Sequence, residues 1–208
     1  MWITKYEPKT LDEMILEPKV RSVLSKSLKE FPNMMIVGKP GLGKSTFKNV
    51  FKRETDSVAL EINCSAETGV DEVRDKIKRC AESAGFTGKI KVIVLEECDY
   101  MSKNAQAALR SLMDKVIDIT RFMFLCNDDK KMMEPIKSRC QIVNINKPPK
   151  KDIGNFLYKI LKTEKIKIED EKDIVKLVNE TYPDIRKSIV LLQQRVEGNK
   201  LPHSVFVE

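Results

Sequence analysis

The chain has 208 residues, 41% hydrophobic and 33% charged, with 38 basic side chains against 31 acidic ones for a net charge of +7. That length suffices for one large domain or two small ones whose core needs no disulfide or metal, and the balance excludes disordered, fibrous and collagen-like classes. The basic surplus is spread, with 25 basic and 21 acidic residues before residue 147 and 13 and 10 after it, so it permits a nucleic-acid partner without demanding one.

In chain order, short apolar runs alternate with helix-period stripes. The opening, from Met1 to Pro8, has no apolar stretch of the kind a signal peptide carries, which predicts a cytoplasmic protein, and no run reaches the length of a membrane span. A helix stripe at Val20, Leu24 and Leu28 precedes the first strand candidate, Met34-Met35-Ile36-Val37. The next strand candidates are Val58 to Ile62, Val92 to Leu95, Phe122 to Cys126 and Cys140 to Ile145. Between them lie the stripes Val70, Val73, Ile77, Ala81, Ala84 and Ala105, Leu109, Leu112, Val116. Continuously apolar strands joined by helices predict an α/β fold with a five-stranded, mostly parallel sheet covered on both faces. Lys147-Pro148-Pro149 ends the pattern. Beyond it, stripes at Ile153, Phe156, Leu157, Ile160, at Ile174, Leu177, Val178 and at Ile185, Ile189, Leu192, Val196 predict three helices with no strand between them. The expected division is therefore 1–146 and 147–208.

Two motifs carry chemistry. Gly38-Lys39-Pro40-Gly41-Leu42-Gly43-Lys44-Ser45 fits G-x-x-x-x-G-K-[ST] between a strand and a helix. Glycines there let successive N–H groups wrap phosphates, Lys44 supplies a point charge, and the Ser45 hydroxyl is an Mg²⁺ ligand. Gly38, Pro40, Gly41, Leu42, Gly43, Lys44, Ser45 and Thr46 are the candidate nucleotide-binding set; the competing reading is a glycine-rich turn. The run Val92-Ile93-Val94-Leu95-Glu96-Glu97 delivers two carboxylates at a strand's C-terminal end, where ligands bind in such sheets. It assigns Glu96 to the Mg²⁺ sphere and Glu97 to the attacking water, against the alternative of a solvated strand end. The five cysteines are scattered without a C-x-x-C pair and the one histidine is His203, so zinc ligation and histidine-dependent nucleophilic mechanisms are not expected.

With these motifs in place, the chain resembles an AAA+ P-loop ATPase, and more narrowly the small ATPase subunit of a sliding-clamp loader, related to replication factor C. The resemblance also runs through Lys5-Tyr6-Glu7-Pro8, Leu60-Glu61-Ile62-Asn63-Cys64-Ser65, Ala105-Gln106-Ala107-Ala108-Leu109-Arg110, Ser138-Arg139-Cys140 and Pro183-Asp184-Ile185-Arg186. Ile15-Leu16-Glu17-Pro18 and Tyr182 to Lys187 look closest to the T-even phage clamp-loader branch.

The resemblance implies ATP and Mg²⁺ as cofactors, with other loader subunits, a sliding clamp and primer–template DNA as partners and no membrane. It places Tyr6 and Pro8 near the adenine, Asn127 at sensor 1 and Arg186 at sensor 2. Arg139 falls at an arginine finger acting on a neighbouring subunit's ATP, and Asn63 at a residue that holds the catalytic glutamate inactive. For Asn127 the alternative is a strand-end cap, and for Arg139 a surface arginine paired with a local acid. Arg74, Lys78, Lys103 and Arg110 are the candidate DNA-phosphate contacts, with a solvated helix face as the alternative.

Two departures from the family pattern are visible. Glu96 stands where the family has Asp, and a C-terminal helical collar is expected to be absent. The other functional readings are a non-hydrolysing nucleotide-binding scaffold subunit and another AAA+ machine such as a helicase loader.

Overall fold

A computed structural model of the protein describes residues 1–65, 75–80, 91–118 and 120–202. Five parallel strands form its central sheet: β1 (Met34–Val37), β2 (Val58–Asn63), β3 (Lys91–Glu96), β4 (Thr120–Cys126) and β5 (Gln141–Asn144), in the order β2-β3-β4-β1-β5. Register aligns Asn63 with Glu96, Glu96 with Leu125, and Val37 with both Cys126 and Asn144. The carboxyl ends of the strands therefore share one edge. A parallel sheet places its ligands at such an edge.

Alternation along each strand explains why the strands read as continuous apolar runs. Met35, Val37, Ile93, Leu95, Phe122 and Phe124 enter one core with Leu109, Leu112 and Val116 of helix α4 (Lys103–Val116). Their neighbours Met34, Ile36, Val92, Val94, Met123 and Leu125 enter the opposite core. There they meet Leu24 of α2 (Pro18–Glu30) and Phe47 and Phe51 of α3 (Lys44–Thr55). Period-two geometry thus buries both faces of every central strand.

Local chemistry sets several helix ends. Pro18 opens α2, which stops at Phe31 with φ of 50°. The Ser102 hydroxyl caps α4 by accepting from the Ala105 N–H at 3.2 Å. Helical residues 75–80 bury Ile77 against the sheet; the rest of that predicted stripe, with Arg74, lies outside the described residues.

A third core forms from α6 (Lys150–Thr163), α7 (Lys172–Thr181) and α8 (Ile185–Arg195), with Ile153, Leu157, Leu177, Ile189 and Leu192 inside. The short helices α1 (Trp2–Lys5) and α5 (Glu134–Lys137) were not evident as stripes, because four residues make barely one turn. Trp2, Ile3 and Tyr6 at the chain start pack into this third core, and the Trp2 N–H donates to Gln193 Oε1 at 2.7 Å.

Two expectations need correction. The C-terminal part does contain strands: β6 (Lys167–Ile168) pairs in parallel with β7 (Lys200–Leu201), a ladder too short to impose a readable period. Cys140 precedes β5 instead of opening it, because its N–H closes a turn on the Lys137 carbonyl at 3.1 Å. None of the five cysteines is in a disulfide, and Cys64, Cys98 and Cys126 are buried. Among the described residues, no helix is long and apolar enough to cross a membrane.

Candidate nucleotide site

The glycine-rich segment leaves β1 and turns into α3. Gly41 and Gly43 take φ of 77° and 99°, a region that side-chain-bearing L-residues avoid. Gly43 is the N-cap of α3, so the first free N–H groups of that helix emerge at the loop. A helix start joined to a loop of left-handed residues is a ready anion cradle.

Lys44 lies across this loop. Its Nζ donates to the carbonyls of Gly38 at 2.6 Å and Lys39 at 3.1 Å, and to Asn127 Oδ1 at 2.8 Å. Burial lowers the Lys44 pKa, an effect only partly offset by nearby Cys126, Asp99 and Glu97. Asn127 is fixed from behind, because the buried Asp99 accepts from its backbone N–H at 3.2 Å. The residue thus links the end of β4 to the loop lysine.

The Ser45 hydroxyl lies 3.3 Å from Glu96 Oε2. A hydroxyl beside a carboxylate oxygen fits Mg²⁺, which takes hard oxygen donors. Among the described residues no three His, Cys, Asp or Glu side chains converge on a common point. Glu97 follows at φ of 52°, a left-handed conformation uncommon outside glycine, and its side chain is exposed on the cleft.

The cleft itself has a volume of about 580 Å³, the size of a small-ligand site. Tyr6, Pro8, Pro40, Gly41, Leu42, Gly43, Lys44, Ser45, Thr46, Glu96, Glu97, Asn127 and Arg186 all line it, as the sequence reading expects of one site. Gly38 contributes its carbonyl to Lys44 from just outside. The lining also includes Ile3, Ile15, Asn49, Phe156, Ile185 and Ile189, which sequence reasoning missed. Asn49 could have been found five residues after Lys44 on α3. The apolar residues carried no signal beyond ordinary core periodicity.

The helical side reaches the loop through the start of α8. Asp184 caps that helix by accepting from the Lys187 N–H at 2.8 Å, and the Ile185 N–H donates to the Gly41 carbonyl at 3.2 Å. A Cβ on Gly41 would lie only 2.0 Å from Asp184 Oδ1. Tyr6 is held by Glu164, to which its hydroxyl donates at 2.6 Å. Burial, reinforced by that carboxylate, pushes the phenol pKa up to about 12.

Other predicted residues stand outside the cleft. Asn63 neighbours Glu96 through strand register, but its amide oxygen accepts from the Ser65 N–H and hydroxyl at 2.9 and 2.8 Å. Arg139 grips Asp114 of α4 with two bonds of 2.6 and 3.0 Å and also donates to the Pro135 carbonyl at 2.7 Å. The structure thus gives Arg139 the local acid partner that was the competing reading. Lys78, Lys103 and Arg110 are exposed on helices, as a solvated face also would be.

Comparison with known proteins agrees with this geometry. The chain is 35% identical over 201 residues to a replication factor C small subunit of Sulfolobus acidocaldarius, covering 93% of this chain and 62% of that protein. It is 36% identical over 217 residues to human replication factor C subunit 4, covering 96% of this chain and 60% of that protein. The chain thus spans about three-fifths of the length of these relatives. Its fold superimposes on a Thermotoga maritima RuvB Holliday junction branch migration motor with a TM-score of 0.74 at 20% identity, over 90% of this chain and 64% of that one. The two chains therefore share the α/β fold with its parallel central sheet. The model of the family described as DNA polymerase III, delta subunit, matches residues 25–149, a stretch that carries the loop lysine, the Glu96-Glu97 pair, Asn127 and Arg139, and the chain belongs to that family.

Proposed function

We propose that this chain is the ATPase part of a sliding-clamp-loader subunit, binding ATP with Mg²⁺ and coupling hydrolysis to placing a clamp on primer–template DNA. One observation carries the reading. Lys44, Ser45, Glu96, Glu97 and Asn127 come from three separate segments and meet in one cleft, in a chain about 35% identical to replication factor C small subunits.

In this reading residues 1–146 bind the nucleotide and residues 147–208 act as a lid. The loop N–H groups and Lys44 hold the β- and γ-phosphates, and Ser45 and Glu96 hold Mg²⁺. The metal, when bound, neutralises charge developing on the phosphoryl oxygens. Glu97 orients and deprotonates the attacking water, while Asn127 positions it and Arg186 reports the γ-phosphate to the lid. Tyr6 and Pro8 border the base. Asn63, one strand from Glu96, restrains Glu97 until DNA binds, which requires its amide to exchange Ser65 for that glutamate. Arg139 serves the ATP of a neighbouring subunit, which requires it to exchange Asp114 for phosphate at the interface. Lys78, Lys103 and Arg110, with Arg74, contact DNA phosphates without reading sequence, which makes DNA binding salt-dependent. The finer likeness to the T-even phage branch rests on Ile15 to Pro18 and Tyr182 to Lys187 alone.

The test is steady-state ATP hydrolysis by the protein assembled with its companion subunits, with and without a sliding clamp and primed DNA. Joint stimulation that disappears in Lys44→Ala and Glu97→Gln is expected. For Lys44→Ala the loss should be on the order of 10²–10³-fold, the usual cost of removing one preorganised charge-stabilising donor. Turnover indifferent to clamp and DNA would overturn the loader reading. Nucleotide binding without any turnover in the assembly would favour a scaffold instead.

A further inference from the structure

Lys48 belongs to neither motif, yet it is the buried centre of an ion network that ends at the metal-site carboxylate. It follows Lys44 by four residues on α3, so both side chains leave the same face of the helix. Only 8% of Lys48 is exposed. Its ammonium lies 2.6 Å from Glu61 Oε2 and 2.7 Å from Glu96 Oε1. Lys52 holds the other oxygen of Glu61.

Strand register explains the convergence. Asn63 of β2 lies opposite Glu96 of β3, and Glu61, two residues earlier, projects from the same face as Asn63. Two carboxylates thus stand as diagonal neighbours, near enough to repel unless a cation separates them. Lys48 is that cation.

The division of the Glu96 oxygens is the informative detail. Oε1 is tied to Lys48, while Oε2 faces the Ser45 hydroxyl. A glutamate has one more side-chain torsion than the aspartate of the family pattern, and so more ways to miss the metal. We propose that Lys48 is a positioning residue: it pins one oxygen of Glu96 so that the other points with Ser45 toward Mg²⁺, which is what lets a glutamate serve at this position. The proposal rests on the nucleotide-site reading above.

The test measures binding of a fluorescent ATP analogue to the whole chain, in Mg²⁺ and in EDTA. The ratio of the two affinities is the coupling between metal and nucleotide. Lys48→Met should shrink that ratio about ten-fold, the scale of one charge-assisted hydrogen bond, with affinity in EDTA unchanged within about two-fold. Lys48→Arg, which keeps the charge and donors, should recover most of the ratio. Glu61→Gln, which weakens the network but leaves the Lys48–Glu96 bond, should keep it, and this variant remains informative if Lys48→Met folds poorly. An unchanged ratio in Lys48→Met would overturn the proposal, as would a larger ratio, which would mean that Lys48 competes with the metal. Equal loss in Glu61→Gln would reduce Lys48 to a structural tie. If the wild-type chain binds no nucleotide in either Mg²⁺ or EDTA, the nucleotide-site reading itself fails, a result distinct from any of these.

Discussion

The two walls of the cleft are built on different principles. On the sheet side, Ser45, Glu96 and Asn127 are placed by strand ends and by the helix that follows β1, and each has a polar partner within the same wall. On the helical side, Tyr6 and Ile185 pack against a separate apolar core, Arg186 follows Ile185 in α8, and the Ile185 N–H donates to the Gly41 carbonyl of the loop. A site fixed by register is stiff, because moving one residue means slipping a strand and turning its apolar set to the wrong face. A site fixed by packing of a second core can move as a unit. The seam between the two walls is Gly41.

Substitutions can separate these walls. Phe47→Ala on α3 removes a fully buried ring from the core under the sheet and should cost about 3–5 kcal/mol in denaturant unfolding. Leu157→Ala, equally buried in the helical core, should cost about 2–5 kcal/mol. It should also alter the fluorescence of Trp2, the single tryptophan, which packs against that core. If Phe47→Ala changed the native Trp2 signal as much, the two walls would not be distinct. Gly41→Ala acts on the seam itself. The left-handed backbone costs about 1–2 kcal/mol in an L-residue, and the new methyl must displace Asp184. Nucleotide affinity should fall and α8 should exchange amide hydrogens faster, whereas the exchange of β3 should stay unchanged.

The smallest effect expected is at the clasp that binds the chain start to the helical core. Lys5 and then Tyr6, both hydrogen-bonded to Glu164, hold its carboxyl below its ordinary value of 4.5. A depressed carboxyl stabilises the fold above its unfolded-state pKa and loses that contribution as pH falls through the folded-state value. Trp2 fluorescence should therefore shift on acidification below about pH 4.5 before global unfolding, and Glu164→Gln should show that shift already at pH 7. An identical acid profile in Glu164→Gln would show that another group controls the clasp.

Much of the sheet wall was legible in advance because its signals are local. Gly41, Gly43, Lys44 and Ser45 lie in one loop, and Glu96 and Glu97 end a strand whose apolar run announces it. Asn127 and Arg186 became legible only by likeness to a family, since a single amide or guanidinium has no pattern of its own. Lys48 and Asp184 stayed hidden for a similar reason. A lysine in a helix that is rich in lysine looks like surface until β2 and β3 bring two carboxylates to it. The β6–β7 pair stayed hidden because two residues per strand cannot show a period.

The sequence by itself determined the sheet, its apolar helices and the phosphate loop, since hydrophobic period and glycine torsions act over a few neighbouring residues. Only the tertiary structure decided which polar groups meet: Lys48 with Glu61 and Glu96, Arg139 with Asp114 as ion pairs, and the Tyr6 hydroxyl with Glu164 as a hydrogen bond. Those partners lie between 13 and 158 residues apart in the chain. An ion pair depends on distance in space and on burial, and neither is written in the spacing of the residues that form it.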